Sequence, residues 1–245
     1  MSNNGMLLSV VIPARNEEGS LPLMLRPLAR TLRDAGIPHE LVVVDDNSSD
    51  RTWSVLQELR TEIPELNPMR NTGPNGFGRA IAFGLHHFRG DRVTIMMADA
   101  SDPPQDLVRF NSALTDELDC VFGSRAMRGS QVVGYPPRKW FMNRAANLFL
   151  CVVFQIRYND ITNPFKLYRR TAIEKVMPLT AKGFELEVEL PLKAIVRGAR
   201  YAVVANGWQG REVGESKMVL AGLWGPYLRV VRQMLTEKWS GERAL

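Results

Sequence analysis

Two carboxylates three residues apart, Asp99 and Asp102, stand at the end of the apolar run Val93-Thr94-Ile95-Met96-Met97-Ala98 and directly before Pro103-Pro104. An apolar run with β-branched residues reads as a buried strand of a parallel sheet. The prolines stop it and can open the next helix. Open α/β sheets bind ligands at the carboxyl ends of their strands, which sets both acids over a site. Carboxylates there are hard oxygen ligands for Mg²⁺ or Mn²⁺, the ions that usually accompany a diphosphate. The competing reading has Asp102 capping the helix begun by the prolines.

The same logic applies to the other strands. Leu41-Val42-Val43-Val44 runs into Asp45-Asp46, and Cys120-Val121-Phe122 runs into Gly123-Ser124-Arg125. Strands alternating with helices give an α/β, mostly parallel, doubly wound sheet flanked by helices. The crossover rule then brings Asp45, Asp46, Asp99, Asp102 and Arg125 to one edge. That convergence says more than any single motif.

The elements that must position these residues follow in order. A first strand at 7–12 closes on Pro13-Ala14-Arg15-Asn16-Glu17-Glu18, and Leu21, Leu25, Leu28 and Leu32 mark an amphipathic helix that Gly36 and Pro38 end. Helices are expected over 53–59, 79–87 and 104–118. The glycines of 73–78 permit a tight turn or a close approach to phosphate, but without a Walker or dinucleotide pattern they read as a plain loop. Residues 138–156 form a helix with a basic start, favoured as core over a membrane-lying helix. Strands at 165–168 and 201–204 bracket a helix over 184–196 that carries Glu185, Glu187 and Glu189. A polar loop at 211–217 leads to an amphipathic helix from 218, with Trp224, Tyr227 and Trp239 as interfacial aromatics.

Composition narrows the classes. A chain of 245 residues with ordinary apolar content is expected to form one domain across 1–245. Cys120 and Cys151 read as reduced thiols, and with three histidines at no ligand spacing a zinc site is not expected. No signal peptide is read at the start, and the longest apolar stretch, 145–156, is too short to cross a bilayer. A net charge of +5 suits anionic substrates or an anionic membrane face, and no nucleic-acid module is present.

Taken together, these pieces resemble the family 2 glycosyltransferases of GT-A (Rossmann-like) fold, and within them the dolichyl-phosphate mannose synthase-like group. The resemblance spans about residues 8–216. It is carried by Val11-Ile12-Pro13-Ala14-Arg15-Asn16-Glu17, Val44-Asp45-Asp46-Asn47-Ser48, the stretch from Met97 to Pro104, Gly123-Ser124-Arg125, Arg144-Ala145-Ala146-Asn147, and Arg211 with Val213, Gly214, Ser216 and Lys217. It implies transfer of a hexose, mannose or glucose, from GDP- or UDP-hexose to a polyprenyl (dolichyl-type) phosphate, by inverting displacement. Pro13, Ala14, Arg15, Glu17, Asp45 or Asp46, and Asp99 then hold the nucleotide-sugar. Arg125 and Arg211 grip the donor diphosphate or the acceptor phosphate, with Arg138, Lys139, Asn143 and Ser216 on the acceptor side.

One position departs from the family pattern. Asp99 matches the second acid of an Asp-x-Asp metal motif whose first acid is Met97 here, and Asp102 offers a replacement carboxylate. The implied catalytic set is Asp99, Asp102, Arg125 and Arg211, with Asp99 and Asp102 as ligands of Mg²⁺ or Mn²⁺. A lipid acceptor also implies a cytoplasmic protein, peripheral on the membrane, with the helices at 138–156 and 218–240 facing lipid or acceptor and a membrane subunit as a further partner.

Elementary chemistry agrees. Glycosyl transfer passes through an oxocarbenium-like state, and charge collects on the departing diphosphate, where cations stabilise it. A phosphate acceptor is already anionic and needs little general-base help. Two alternatives stay open. A saccharide acceptor would need a base such as Asp160, Glu185 or Glu187, and a catalytically silent nucleotide-sugar-binding protein would explain Met97. A dinucleotide oxidoreductase is disfavoured because no glycine fingerprint follows the first strand.

Overall fold

A computed structural model describes residues 5–211 and 224–240. Seven strands form one sheet in the order β3-β2-β1-β4-β7-β5-β8. These are β1 (Leu8–Ala14), β2 (His39–Asp45), β3 (Leu66–Arg70), β4 (Arg92–Ile95), β5 (Cys120–Ser124), β7 (Lys166–Arg169) and β8 (Tyr201–Ala205), while β6 (Val132–Val133) and β9 (Trp208–Gln209) pair separately. Helices α1 (Leu21–Asp34), α2 (Thr52–Glu62), α3 (Phe77–His87), α4 (Pro104–Ala113), α5 (Pro137–Phe154), α6 (Arg170–Val176), α7 (Leu186–Val196) and α8 (Trp224–Ser240) connect or flank them.

The strand alternation explains the layers. Val10, Ile12, Leu41, Val43, Val121 and Leu167 face a core closed by α1, α2 and α4. Their neighbours Val11, Val42, Val44, Val93, Cys120 and Tyr168 face a second core closed by α3, α5, α6, α7 and α8. Both faces of the sheet are covered, which is why its strands read as continuous apolar runs. On one of those faces Gly84 of α3 lies so close to β1 that a Cβ would meet Val11 Cγ1 at 2.5 Å.

Only β7 runs antiparallel to its neighbours, between β4 and β5. The chain leaves β5 at the ligand edge, makes the α5 excursion there, and re-enters the sheet from that same edge. β7 therefore brings its first residue, not its last, to the site.

Several expected boundaries move. β1 continues to Ala14 through Pro13, paired with Val44. Val11 O accepts from Met96 N and Ala14 O from Asp46 N, so Pro13 faces the side that β4 has already left and no ladder donor is lost. β4 stops at Ile95, and Met97 lies in the turn that follows. β3 was not read from sequence because Pro68 and Asn67 hide it; as an edge strand it tolerates both. α4 ends at Ala113 rather than near 118, since Leu114 turns to ψ 80° and a separate turn from Thr115 to Leu118 feeds β5.

The helix expected as core, α5, is core on one side only: Leu150 and Phe154 are buried in the second core, while Phe141 is 75 %, Leu148 65 % and Val152 68 % exposed. The buried Asn147 anchors the helix, donating to Thr162 Oγ1 at 2.9 Å and accepting from Thr162 N at 3.2 Å.

Candidate active site

The ends of β1, β2, β4 and β5 open into one cleft of about 1060 Å³, roofed by α5, α7 and α8. Its walls at the sheet edge include Pro13, Ala14, Arg15, Glu17 and Asp46. Asp46 is pinned there: Oδ1 accepts from Asn71 Nδ2 at 2.7 Å and Oδ2 from Gly76 N at 2.8 Å. Asp45 does not line the cleft; its Oδ1 accepts from Ser48 N at 3.0 Å, and Arg70 approaches at 3.8 Å. Of the adjacent pair, Asp46 is the cleft residue. The glycines after Asn71 serve packing, because a Cβ on Gly76 or Gly78 would strike the backbone of 181–183.

The turn after β4 presents both carboxylates. Ala100 sits at φ +59°, a left-handed conformation that a non-glycine residue rarely adopts, so this turn is held by its surroundings. Asp99 Oδ1 accepts from Ser101 N at 3.1 Å, and Oδ2 pairs with Arg211 at 2.8 Å. Asp102 is buried and accepts from Met97 N at 3.4 Å. Burial, helped by the Asp99 charge, pushes Asp102 up to about 7. Asp102 is not the helix cap: Pro103 holds that position, and no side chain bonds the first turn of α4.

These two acids fit a divalent ion. Burying a carboxylate beside a second one is unfavourable unless a cation joins them. Among the described residues no third acid, histidine or cysteine completes a protein-only cluster. Mg²⁺ usually takes one or two carboxylates and completes its shell with water and substrate phosphate.

The basic residues divide. Arg125 lines the cleft but is committed: its N and Nε donate to Asp160 Oδ2 at 2.8 and 2.9 Å, and Nη2 donates to Oδ1 at 2.9 Å. That buried fork also occupies Asp160, which therefore does not stand ready as a base. Lys139 lines the cleft, 5.9 Å from the Tyr135 ring, whereas Arg138 is exposed and off the cleft. Asn143 lines it while donating to Thr162 Oγ1 at 2.7 Å. Ser216 lies outside the described residues.

Sequence reading did not single out Tyr135, Trp208 or Lys166. Tyr135 and Trp208 meet edge to face at 4.7 Å and both line the cleft. Lys166 is buried at the start of β7 and donates to Ile161 O at 3.0 Å. Nothing in the local pattern marks the aromatics. The lysine inside an apolar strand was the available signal.

Residues 9–177 match the family described as "Glycosyl transferase family 2". The chain belongs to that family. The transferase is 30 % identical over 244 residues, 98 % of each chain, to the "Undecaprenyl-phosphate mannosyltransferase" of Micrococcus luteus. It is 31 % identical to the "Polyprenol monophosphomannose synthase" of Mycolicibacterium smegmatis, covering 85 % of this chain and 80 % of that one. Its fold matches glucosyl-3-phosphoglycerate synthase of Mycobacterium tuberculosis, solved with Mn²⁺, UDP-glucose and phosphoglyceric acid. There the TM-score is 0.68 at 21 % identity, over 97 % of this chain and 81 % of that one. The transferase is thus a glycosyltransferase of GT-A fold.

Proposed function

We propose that this transferase moves a hexose, mannose or glucose, from a GDP- or UDP-hexose to a polyprenyl phosphate, inverting the anomeric centre. One observation carries the reading: the cleft runs without interruption from the acid-bearing strand ends into a trough lined by Phe141, Phe149 and Leu150 of α5 and Trp224, Leu228 and Val231 of α8. A saccharide needs no apolar trough, and a prenyl chain does. The names of the two mannosyltransferase relatives support the same acceptor.

The residues then take these roles. Pro13, Ala14, Arg15, Glu17 and Asp46 wall the nucleotide end. Asp99 and Asp102 would hold the Mg²⁺ or Mn²⁺, which when bound neutralises charge on the departing diphosphate. Arg211, now on Asp99, lies within reach of the same diphosphate. Lys139 and Asn143 at the far end receive the acceptor phosphate, with Arg138 outside as a steering charge. Arg125 acts from the floor as a fixed charge, tethered by Asp160.

A phosphate oxygen of the acceptor attacks the anomeric carbon, the bond to the diphosphate oxygen breaks, and the electron pair leaves with the diphosphate. The acceptor is largely a dianion at neutral pH, so no proton has to be removed.

The exposed apolar residues of α5 and α8 rest on the cytoplasmic face of a membrane, alone or beside a membrane subunit. No helix among the described residues is long and apolar enough to cross one. The test is transfer of labelled hexose from GDP- and UDP-sugars into the organic-extractable fraction with a short polyprenyl phosphate, in Mg²⁺, Mn²⁺ or EDTA. Label in the lipid phase that is lost in Asp99→Ala supports the proposal. Nucleotide-sugar turnover with label reaching only water or a soluble acceptor overturns it.

A further inference from the structure

Lys139, Asn143 and Asn147 follow one another at single-turn spacing along α5, so they share one stripe of that helix. The first two line the cleft, and the third is fully buried behind them. Thr162, on the loop that leads into β7, meets the inner end of this stripe and also lines the cleft.

One backbone group fixes the direction of every amide here. Thr162 N–H can only donate, so the Asn147 atom 3.2 Å from it is the oxygen. Asn147 Nδ2 then points the other way, donating to Asn143 O at 2.9 Å, Asn143 Oδ1 at 3.1 Å and Thr162 Oγ1 at 2.9 Å. With Asn143 Oδ1 turned to that nitrogen, Asn143 Nδ2 is the atom that donates to Thr162 Oγ1, at 2.7 Å. A flipped Asn143 would set two NH₂ groups against each other. A threonine hydroxyl has two lone pairs and one proton. The two amides fill the lone pairs, and among the described residues nothing accepts the proton. What Thr162 has left to offer the cleft is a single hydrogen-bond donor, beside Asn143 and one turn from Lys139.

We propose that Thr162 Oγ1 binds the phosphate of the acceptor, donating a hydrogen bond to one of its oxygens. This rests on the polyprenyl phosphate reading above and adds to it a ligand from outside α5. Accepting from two amides polarises the hydroxyl and strengthens its donation. A phosphate dianion offers only acceptors, which matches a group that can only donate. An acceptor hydroxyl that must lose a proton finds no base in Thr162, whose lone pairs are already used. Asn147 is the positioning residue, because it sets which way the hydroxyl faces.

The experiment is calorimetric binding of a short prenyl monophosphate, the matching prenyl alcohol, GDP and UDP to wild type, Thr162→Ser and Thr162→Val, with transfer assayed alongside. Thr162→Val should bind the prenyl phosphate about tenfold to a hundredfold more weakly, the range for a hydrogen bond to a charged group. Its KM for the lipid phosphate should rise by a similar factor while its KM for the donor holds. The alcohol, GDP and UDP should bind all three proteins alike. Thr162→Ser keeps the hydroxyl and should stay within about threefold of wild type on the phosphate. Thr162→Val leaves the buried Asn147 amide short of an acceptor, so Asn147→Leu with Thr162→Val removes both groups and takes its place if the single variant does not fold. The same phosphate-specific loss is expected of it. Phosphate affinity equal to wild type without the hydroxyl overturns the assignment. So does an equal loss in Thr162→Ser, and so does a parallel loss for alcohol and nucleotide diphosphates, which would leave Thr162 only an anchor of α5. If wild type binds nucleotide diphosphates but neither binds the prenyl phosphate nor transfers hexose to it, the polyprenyl reading itself fails and takes this assignment with it.

Discussion

At the scale of single residues, the site is governed by which charges already have partners. Asp102 is a buried acid whose burial, with the Asp99 charge beside it, disfavours its ionised form, even though Arg211 pairs with Asp99. Asp102→Asn should raise the thermal midpoint of the metal-free protein while lowering transfer roughly a hundredfold. Unchanged turnover would overturn the proposed role of Asp102 as a metal ligand. Arg125 and Asp160 are the opposite case, a satisfied buried pair with side chains 6 % and 0 % exposed. Asp160→Asn leaves the guanidinium buried and poorly matched, and should cost about 3–5 kcal/mol in denaturant unfolding. Asp99 and Asp102 were legible in the chain because they are sequence neighbours at a strand end. The pairing of Arg125 with Asp160 was not, since the two lie 35 residues apart in the chain.

At the scale of elements, apolar content told helix from strand but not what each helix would meet. α1 has a narrow apolar stripe and buries it as expected. α5 has apolar residues on several sides, so its content agreed with core or surface alike, and the buried Asn147, Leu150 and Phe154 mark the face that docks. The tie between α1 and the turn before β3 offers a pH test. Arg33 donates to Glu65 at 2.8 Å and, against the opposing effect of partial burial, holds that carboxyl down at about 2. A lowered acid pKa stabilises the fold above the unfolded value of 4.5, and the contribution fades as pH falls from there to about 2. Glu65→Gln should lower the midpoint at neutral pH and flatten the acid limb in that window. An identical acid limb in both proteins would show that the pair contributes nothing.

At the scale of the molecule, the cleft joins two surfaces of different character, a polar sheet edge and an apolar trough. Leu148 and Val152 on α5 and Trp239 on α8 extend the apolar surface outward. They are largely exposed, so Leu148→Glu with Val152→Glu should leave the thermal midpoint within about 2 °C, as surface substitutions do. The same variant should lose flotation with anionic vesicles containing polyprenyl phosphate and lose transfer to that lipid, while binding of nucleotide diphosphate persists. Flotation equal to wild type would return α5 to a purely acceptor-side role.

The amino-acid sequence by itself determined the alternation of strands and helices, the parallel strands of one edge and the acids that end them, because periodicity and turn chemistry act over a few residues. The tertiary structure decided what depends on residues far apart in the chain: β7 entering antiparallel, Arg125 turning to Asp160 and α5 burying one side only. Local propensity chooses the element. Only the packed crossovers choose which side chains meet.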